Sequence, residues 1–163
     1  MKCMGTVCHG SLICSRHGKT RTFQVKCSVF VLLARDEKIC FLQRTRTGWK
    51  NGFYSVPAGG LESGETLVSA AIREAREEVD VELQADQLRL VHTVHCRTEG
   101  NEWLGHFFMT ESWKGEASLL EPDKHSNLTW ALPLEAPSPL LWYVRQALES
   151  IMRNQSYSEF GWN

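Results

Sequence analysis

Glu74, Glu77 and Glu78 stand at i, i+3 and i+4 of a stretch whose apolar residues recur at helical spacing. Side chains so spaced on a helix are neighbours on one face, with Cβ atoms roughly 5–6 Å apart. Like charges placed there destabilise by about 0.2–0.5 kcal/mol per pair. Carboxylates in the last turns also oppose the helix dipole, by about 0.3–1 kcal/mol. Stability alone would put lysines at these positions. A divalent cation reverses the sign of every one of these terms, and Mg²⁺ takes carboxylate oxygens together with water and phosphates. The competing account is a solvated acidic face whose charges pair locally with Arg73 and Arg76.

The elements around the three acids carry their own signals. Val68, Ala71, Ala75 and Val79, with Leu67 and Ile72 beside them, give an amphipathic helix. Thr66 is a good N-cap, and Glu65 lies where a helix N-terminus favours negative charge. Residues 55–64 contain Pro57, Gly59, Gly60 and Gly64 and read as a loop in which glycine lets the main chain turn and approach a ligand closely.

From Gly59 to Val81 this segment resembles the Nudix box: a glycine, five residues, glutamate, seven residues, Arg-Glu, an aliphatic, any residue, Glu-Glu, any residue, glycine and an aliphatic. Gly59, Glu65, Arg73, Glu74, Glu77, Glu78 and Val81 occupy its slots, with Ala75 as a small aliphatic. Asp80 stands in the glycine slot; it reads as a left-handed residue closing the helix, a conformation Asp visits more easily than most. The resemblance implies a Nudix-type α/β/α sandwich, with a mixed sheet between helices. It also implies hydrolysis of a diphosphate linkage with Mg²⁺, for which Mn²⁺ can substitute. Glu74, Glu77 and Glu78 would be metal ligands, joined by the backbone carbonyl of Ala58. Arg73 would orient the cluster by pairing with Glu65, and Glu74 or Glu77 would take the proton from water. In enzymes of this kind an acid from a later loop sometimes serves instead, and Glu99 and Glu102 are the candidates.

The remaining chain is consistent with that sandwich. Residues 26–34 form a continuous apolar run suited to a strand buried on both faces, and Asp36-Glu37 turns it into a second strand over residues 38–44. Residues 88–96, 102–112 and 128–132 read as further strands. Ser138-Pro139 opens a helix running to about Met152, and residues 157–163 form a tail whose Phe160 and Trp162 can pack back on the body. The expected division is an N-terminal extension over residues 1–22, without regular period and open to disorder, and a catalytic domain over residues 23–163.

Substrate features are fainter. The proline typical of ADP-ribose-cleaving members and the tyrosine typical of dinucleoside-polyphosphate hydrolases are both missing after the box. Glu121-Pro122-Asp123-Lys124, with Leu128 and Trp130, resembles a segment of MutT-like nucleoside triphosphate pyrophosphatases. The favoured substrate is therefore a nucleoside triphosphate, cut to monophosphate and pyrophosphate. The alternatives are an RNA-end (cap) pyrophosphohydrolase and a non-catalytic nucleotide-binding module. Arg44, Lys124 and Arg97 are the candidate phosphate contacts, and Trp49, Phe53 and Trp103 the aromatics able to stack on a base or fill the core. His92 and His95 are expected to divide between core and cleft.

A formal net charge of −1, from 18 basic and 19 acidic residues in 163, argues against gripping nucleic acid by bulk charge. The apolar runs are too short to span a bilayer. Six cysteines include no CxxC pair, so a zinc site built from Cys3, Cys8, Cys14, His9 and His17 lacks the usual spacing. Cys27, Cys40 and Cys96 sit in apolar runs as small hydrophobes. A cytoplasmic location is the default expectation, with the acid-free, basic stretch 1–35 the one feature that could serve in targeting.

Overall fold

The computed structural model describes the backbone of residues 12–16 and 19–162 and the side chains of residues 24–162. Cys3, Cys8, His9 and His17 lie outside the described residues, as does the side chain of Cys14. The backbone of Leu12–Arg16 (β1) pairs antiparallel with Lys19–Phe23 (β2), in a stretch where the sequence shows no regular period.

The body is built on β3 (Lys26–Arg35) and β4 (Lys38–Arg44). Asp36 and Glu37 both take positive φ, 51° and 62°, as a two-residue hairpin turn requires. The two strands pair only beside that turn, at Ala34–Ile39 and Arg35–Lys38, and then splay apart. On one side β3 runs parallel to β8 (Asn101–Thr110), which pairs antiparallel with β7 (Arg89–Thr98). β10 (Tyr157–Phe160) adds a parallel strand outside β7, so the tail does pack back on the body. On the other side β4 pairs antiparallel with β5 (Tyr54–Ser55) and β9 (His125–Ala131). The mixed sheet lies between α1 (Leu67–Val79) and α2 (Trp142–Met152), the sandwich implied by the box.

Strand β3 explains why its run is apolar throughout. Alternate residues face opposite sides of a sheet, so Val29, Val31 and Leu33 pack with Ala71, Ala75 and Val79 of α1. Phe30 and Leu32 pack with Tyr143, Val144 and Leu148 of α2. Phe30 stacks on Phe107 at 4.5 Å and meets Tyr143 edge-on, which fills the α2 side with aromatic carbon. Cys40 and Cys96 are buried, and burial pushes both thiols up to about 12, as befits small apolar side chains.

Two local readings change. Residues 55–64 are not all loop: β6 (Ala58–Gly60) pairs antiparallel with Ser28–Phe30, and Pro57 accepts from the Val31 amide at 2.8 Å. The helix read from Ser138-Pro139 begins at Trp142. Tyr54 spends its backbone groups on this segment, donating to the Pro139 carbonyl at 2.7 Å and accepting from the Leu141 amide at 2.9 Å. Residues 139–141 therefore run alongside β5 before the helix can start.

Candidate functional site

Local sequence sets α1 in place. The Thr66 hydroxyl accepts from the Ser69 amide at 3.1 Å, capping the first turn. Asp80 ends the helix in the left-handed region (φ 57°, ψ 36°), with its amide bonded to the Arg76 carbonyl. Between these caps, packing of Ala71, Ala75 and Val79 against β3 decides which acids turn inward.

The three glutamates do not share one environment. Glu74 and Glu78, a turn apart, are buried, whereas the Glu77 side chain is 53% exposed. β6 meets the inward pair directly. The Ala58 amide donates to Glu78 Oε2 at 2.9 Å, and a Cβ on Gly59 would collide with the Glu74 carboxylate. Gly59 thus clears the space that Glu74 occupies.

Arg73 ties the helix to the preceding turn. Its Nε and Nη2 grip both oxygens of Glu65, at 2.9 and 3.0 Å, in a two-pronged pair. Its Nη1 reaches Glu74 at 2.6 Å and Glu77 at 3.3 Å, and Nη2 also donates to the Gly60 carbonyl. These bonds raise the arginine's proton affinity further and hold Glu65 below the usual carboxylate range. Burial pushes Glu74 up, with Arg73 opposing the shift.

Glu78 is the outlier. Burial drives it up to about 8, against the pull of the Ala58 amide. Its Oε1 faces His125 Nε2 at 3.7 Å, but burial and the nearby Arg44 charge hold His125 down to about 4, so the imidazole is neutral and the contact is no ion pair. Glu121 approaches from the segment before β9 and binds Lys124 Nζ through Oε1 at 2.7 Å. Glu121 Oε2 and His125 Nδ1 are buried with no hydrogen-bond partner among the described residues. A buried polar atom left unpaired costs about 1–3 kcal/mol. A buried carboxyl, a second carboxylate oxygen and an imidazole, with two of their polar atoms unpartnered among the described residues, make a donor set that fits a divalent ion.

Other expected residues divide. Lys124 stands at the cluster, and Arg44 lies near enough to His125 to depress it. The Arg44 guanidinium lies over Trp49 at 5.4 Å and donates to the Trp49 carbonyl and the Thr47 hydroxyl. Arg97 is not brought to the glutamates; it lies over Trp162, 5.8 Å from the ring centre, beside the C-terminal strand. Glu99 forms the β7–β8 turn and accepts from the Trp49 indole at 2.9 Å, and Glu102 pairs across that hairpin with Arg97. The later acid that reaches the box is Glu121. Trp103 and Phe53 both pack against the α2-side core, Trp103 edge-on to Tyr143 at 4.9 Å and Phe53 meeting Trp142 under Lys50. His92 is buried, and His95 lies tilted against Trp162, ring centres 4.5 Å apart, instead of facing the site. Glu121 and His125 are not among the site residues read from sequence, although the Glu-Pro-Asp-Lys segment begins at Glu121 and ends one residue before His125.

The model of the NUDIX domain matches residues 23–154. An uncharacterized Nudix hydrolase of Bacillus subtilis, YvcI, is 33% identical over 88 residues, 52% of this chain and 53% of that protein. The chain spans about half the length, or less, of the curated relatives it matches. Among solved structures, a MutT NUDIX hydrolase from Burkholderia pseudomallei superposes with a TM-score of 0.71 at 27% identity, covering 78% of this chain and 98% of that one. The Escherichia coli dihydroneopterin triphosphate pyrophosphohydrolase gives a TM-score of 0.61 at 25% identity, covering 80% and 98%. No described helix is long and apolar enough to cross a membrane.

Proposed function

This chain belongs to the Nudix family, and we propose that it is a divalent-metal-dependent hydrolase converting a nucleoside triphosphate to its monophosphate and pyrophosphate. One observation carries the reading: the Glu78 carboxylate is buried beside Glu74, fixed by the Ala58 amide, with no ion pair to a lysine or arginine among the described residues. Glu74, Glu77 and Glu78, with the Ala58 carbonyl, would hold Mg²⁺ or Mn²⁺. The ion supplies Lewis-acid neutralisation of the phosphate charge.

The chain's own groups have separable tasks. Arg73 keeps Glu74 and Glu65 oriented through its shared guanidinium bonds. Glu74, held between Gly59 and Arg73, is placed to take the proton as water attacks phosphorus. Glu77, being more exposed, is the second candidate for that step. Lys124 and Arg44 bring positive charge to the rim, suited to phosphate oxygens. The Glu121–Lys124 segment and the triphosphate-cleaving E. coli protein of similar fold both favour a triphosphate substrate. The catalytic unit would run over residues 23–163, with residues 1–22 as an extension before it.

Incubation with nucleoside triphosphates, nucleotide sugars and capped RNAs in Mg²⁺, with products separated by chromatography, tests the assignment. Monophosphate and pyrophosphate should appear together, and ¹⁸O-labelled water shows which phosphorus is attacked. Lys124→Ala should raise KM more than it lowers kcat, because a ground-state phosphate contact binds substrate and transition state alike. Release of inorganic phosphate alone, or activity confined to a nucleotide sugar or capped RNA, overturns the substrate.

A further inference from the structure

His125 opens β9 and Glu121 lies in the turn just before it, and the backbone ties the two, the His125 amide donating to the Glu121 carbonyl at 2.9 Å. Both side chains project at Glu78. One ligand atom from each of the three lies within 4.8 Å of the other two. Hydrogen bonding leaves this convergence unexplained. Glu78 Oε2 is satisfied by Ala58, but Oε1 and His125 Nε2 stand 3.7 Å apart, too far for a hydrogen bond. His125 is 5% exposed, and its Nδ1 and the Glu121 Oε2 are both buried and unpartnered among the described residues. Buried polar atoms nearly always have partners, so ligand atoms that converge from α1, the Glu121 segment and β9, on two side chains each with a buried atom lacking a partner among the described residues, indicate a ligand that binds there.

We propose that Glu78, Glu121 and His125 together bind a borderline transition-metal ion such as Co²⁺ or Zn²⁺ in preference to Mg²⁺, with His125 supplying a ring nitrogen as ligand. The inference rests on the metal-dependent reading above and adds to it a ligand that the box does not contain. Bonds of about 2.1 Å set neighbouring ligand atoms roughly 3–3.5 Å apart, so small side-chain rotations close the cluster around an ion. Lys124 occupies the other Glu121 oxygen, leaving Oε2 free, so an ion can bind without breaking that pair. Mg²⁺ favours an all-oxygen shell, whereas imidazole suits later first-row metals. The nitrogen therefore biases this position away from Mg²⁺.

Calorimetric titration of the full chain with Co²⁺ and with Mg²⁺, for wild type and His125→Gln, tests the ligand directly. Loss of the nitrogen should weaken Co²⁺ at least about tenfold while changing Mg²⁺ affinity by less than about twofold. Should His125→Gln fail to fold, ¹⁵N spectra of the wild-type chain serve: Zn²⁺ must shift the ring nitrogens of His125. Co²⁺ affinity equal in both chains, or Zn²⁺ binding that leaves the His125 ring unshifted, overturns the nitrogen ligand and leaves the metal-dependent reading standing. Absence of any divalent-metal binding to wild type overturns both.

Discussion

Gly59 and Glu74 share one volume: the carboxylate of Glu74 fills the space that a side chain at Gly59 would need. Gly59→Ala should therefore push Glu74 from its place under β6. We expect turnover to fall at least about tenfold and stability to drop by about 1–3 kcal/mol, the usual cost of overpacking. Gly60 has open space at the same position, and Gly60→Ala should stay within about 0.5 kcal/mol of wild type. Paired melts and steady-state assays of the two variants make the comparison, and equal behaviour would detach Glu74 from Gly59.

Glu78→Gln should move stability and activity in opposite directions. Without metal it removes a buried acid whose charged form burial disfavours, so above about pH 8, where that form is present, the melting temperature in EDTA should rise, by about 1 kcal/mol in stability terms. Turnover should fall at least about a hundredfold, because metal-held charge stabilisation is worth several kcal/mol. Adding millimolar Mg²⁺ should stabilise wild type and leave the variant unmoved. A variant that loses stability in EDTA would mean Glu78 has a balancing partner.

Asp80 tests the helix end. With φ at 57°, Asp80→Gly should be neutral or stabilising by up to about 1 kcal/mol, and Asp80→Val clearly destabilising. Denaturant midpoints of both variants decide it; a harmless valine would contradict the left-handed cap.

His92 gives the fold a pH dependence. It is buried, bonded to the Gln155 carbonyl and the Ser158 hydroxyl, and burial holds it below its ordinary 6.5. Between the ordinary value and that lowered value, the unfolded chain takes up a proton that the folded chain refuses. Its contribution is thus fully present above pH 6.5 and lost as pH falls toward the folded value. The slope from this residue is at most about 1.4 kcal/mol per pH unit. Chemical denaturation at a series of pH values should show a shallower decline for His92→Gln, and an unchanged slope would acquit His92.

The sequence by itself determined what depends on neighbours in the chain. The box, the Thr66 and Asp80 caps, the Arg73 pairing with Glu65 and Glu77, and the hairpin at Asp36-Glu37 are all set by residues within about one to three turns. So was the buried run of β3, because a strand covered on both faces must be apolar at every position.

What only the tertiary structure decided is which side chains meet across distance. Helical spacing puts Glu74, Glu77 and Glu78 on a common face, but it took the packing of α1 on β3 to bury two of them and leave Glu77 outside. Tyr54 delayed α2 to Trp142 by drawing residues 139–141 alongside β5. Glu99 and Glu102 are the later acids the sequence offers, yet the β7–β8 turn gives Glu99 to Trp49. Glu121 and His125 lie more than forty residues beyond Glu78; they reach it because β9 pairs with β4 and thereby carries the start of that strand to the helix. No period or cap encodes that meeting, since the free energy that creates it comes from burying the sheet between two helices.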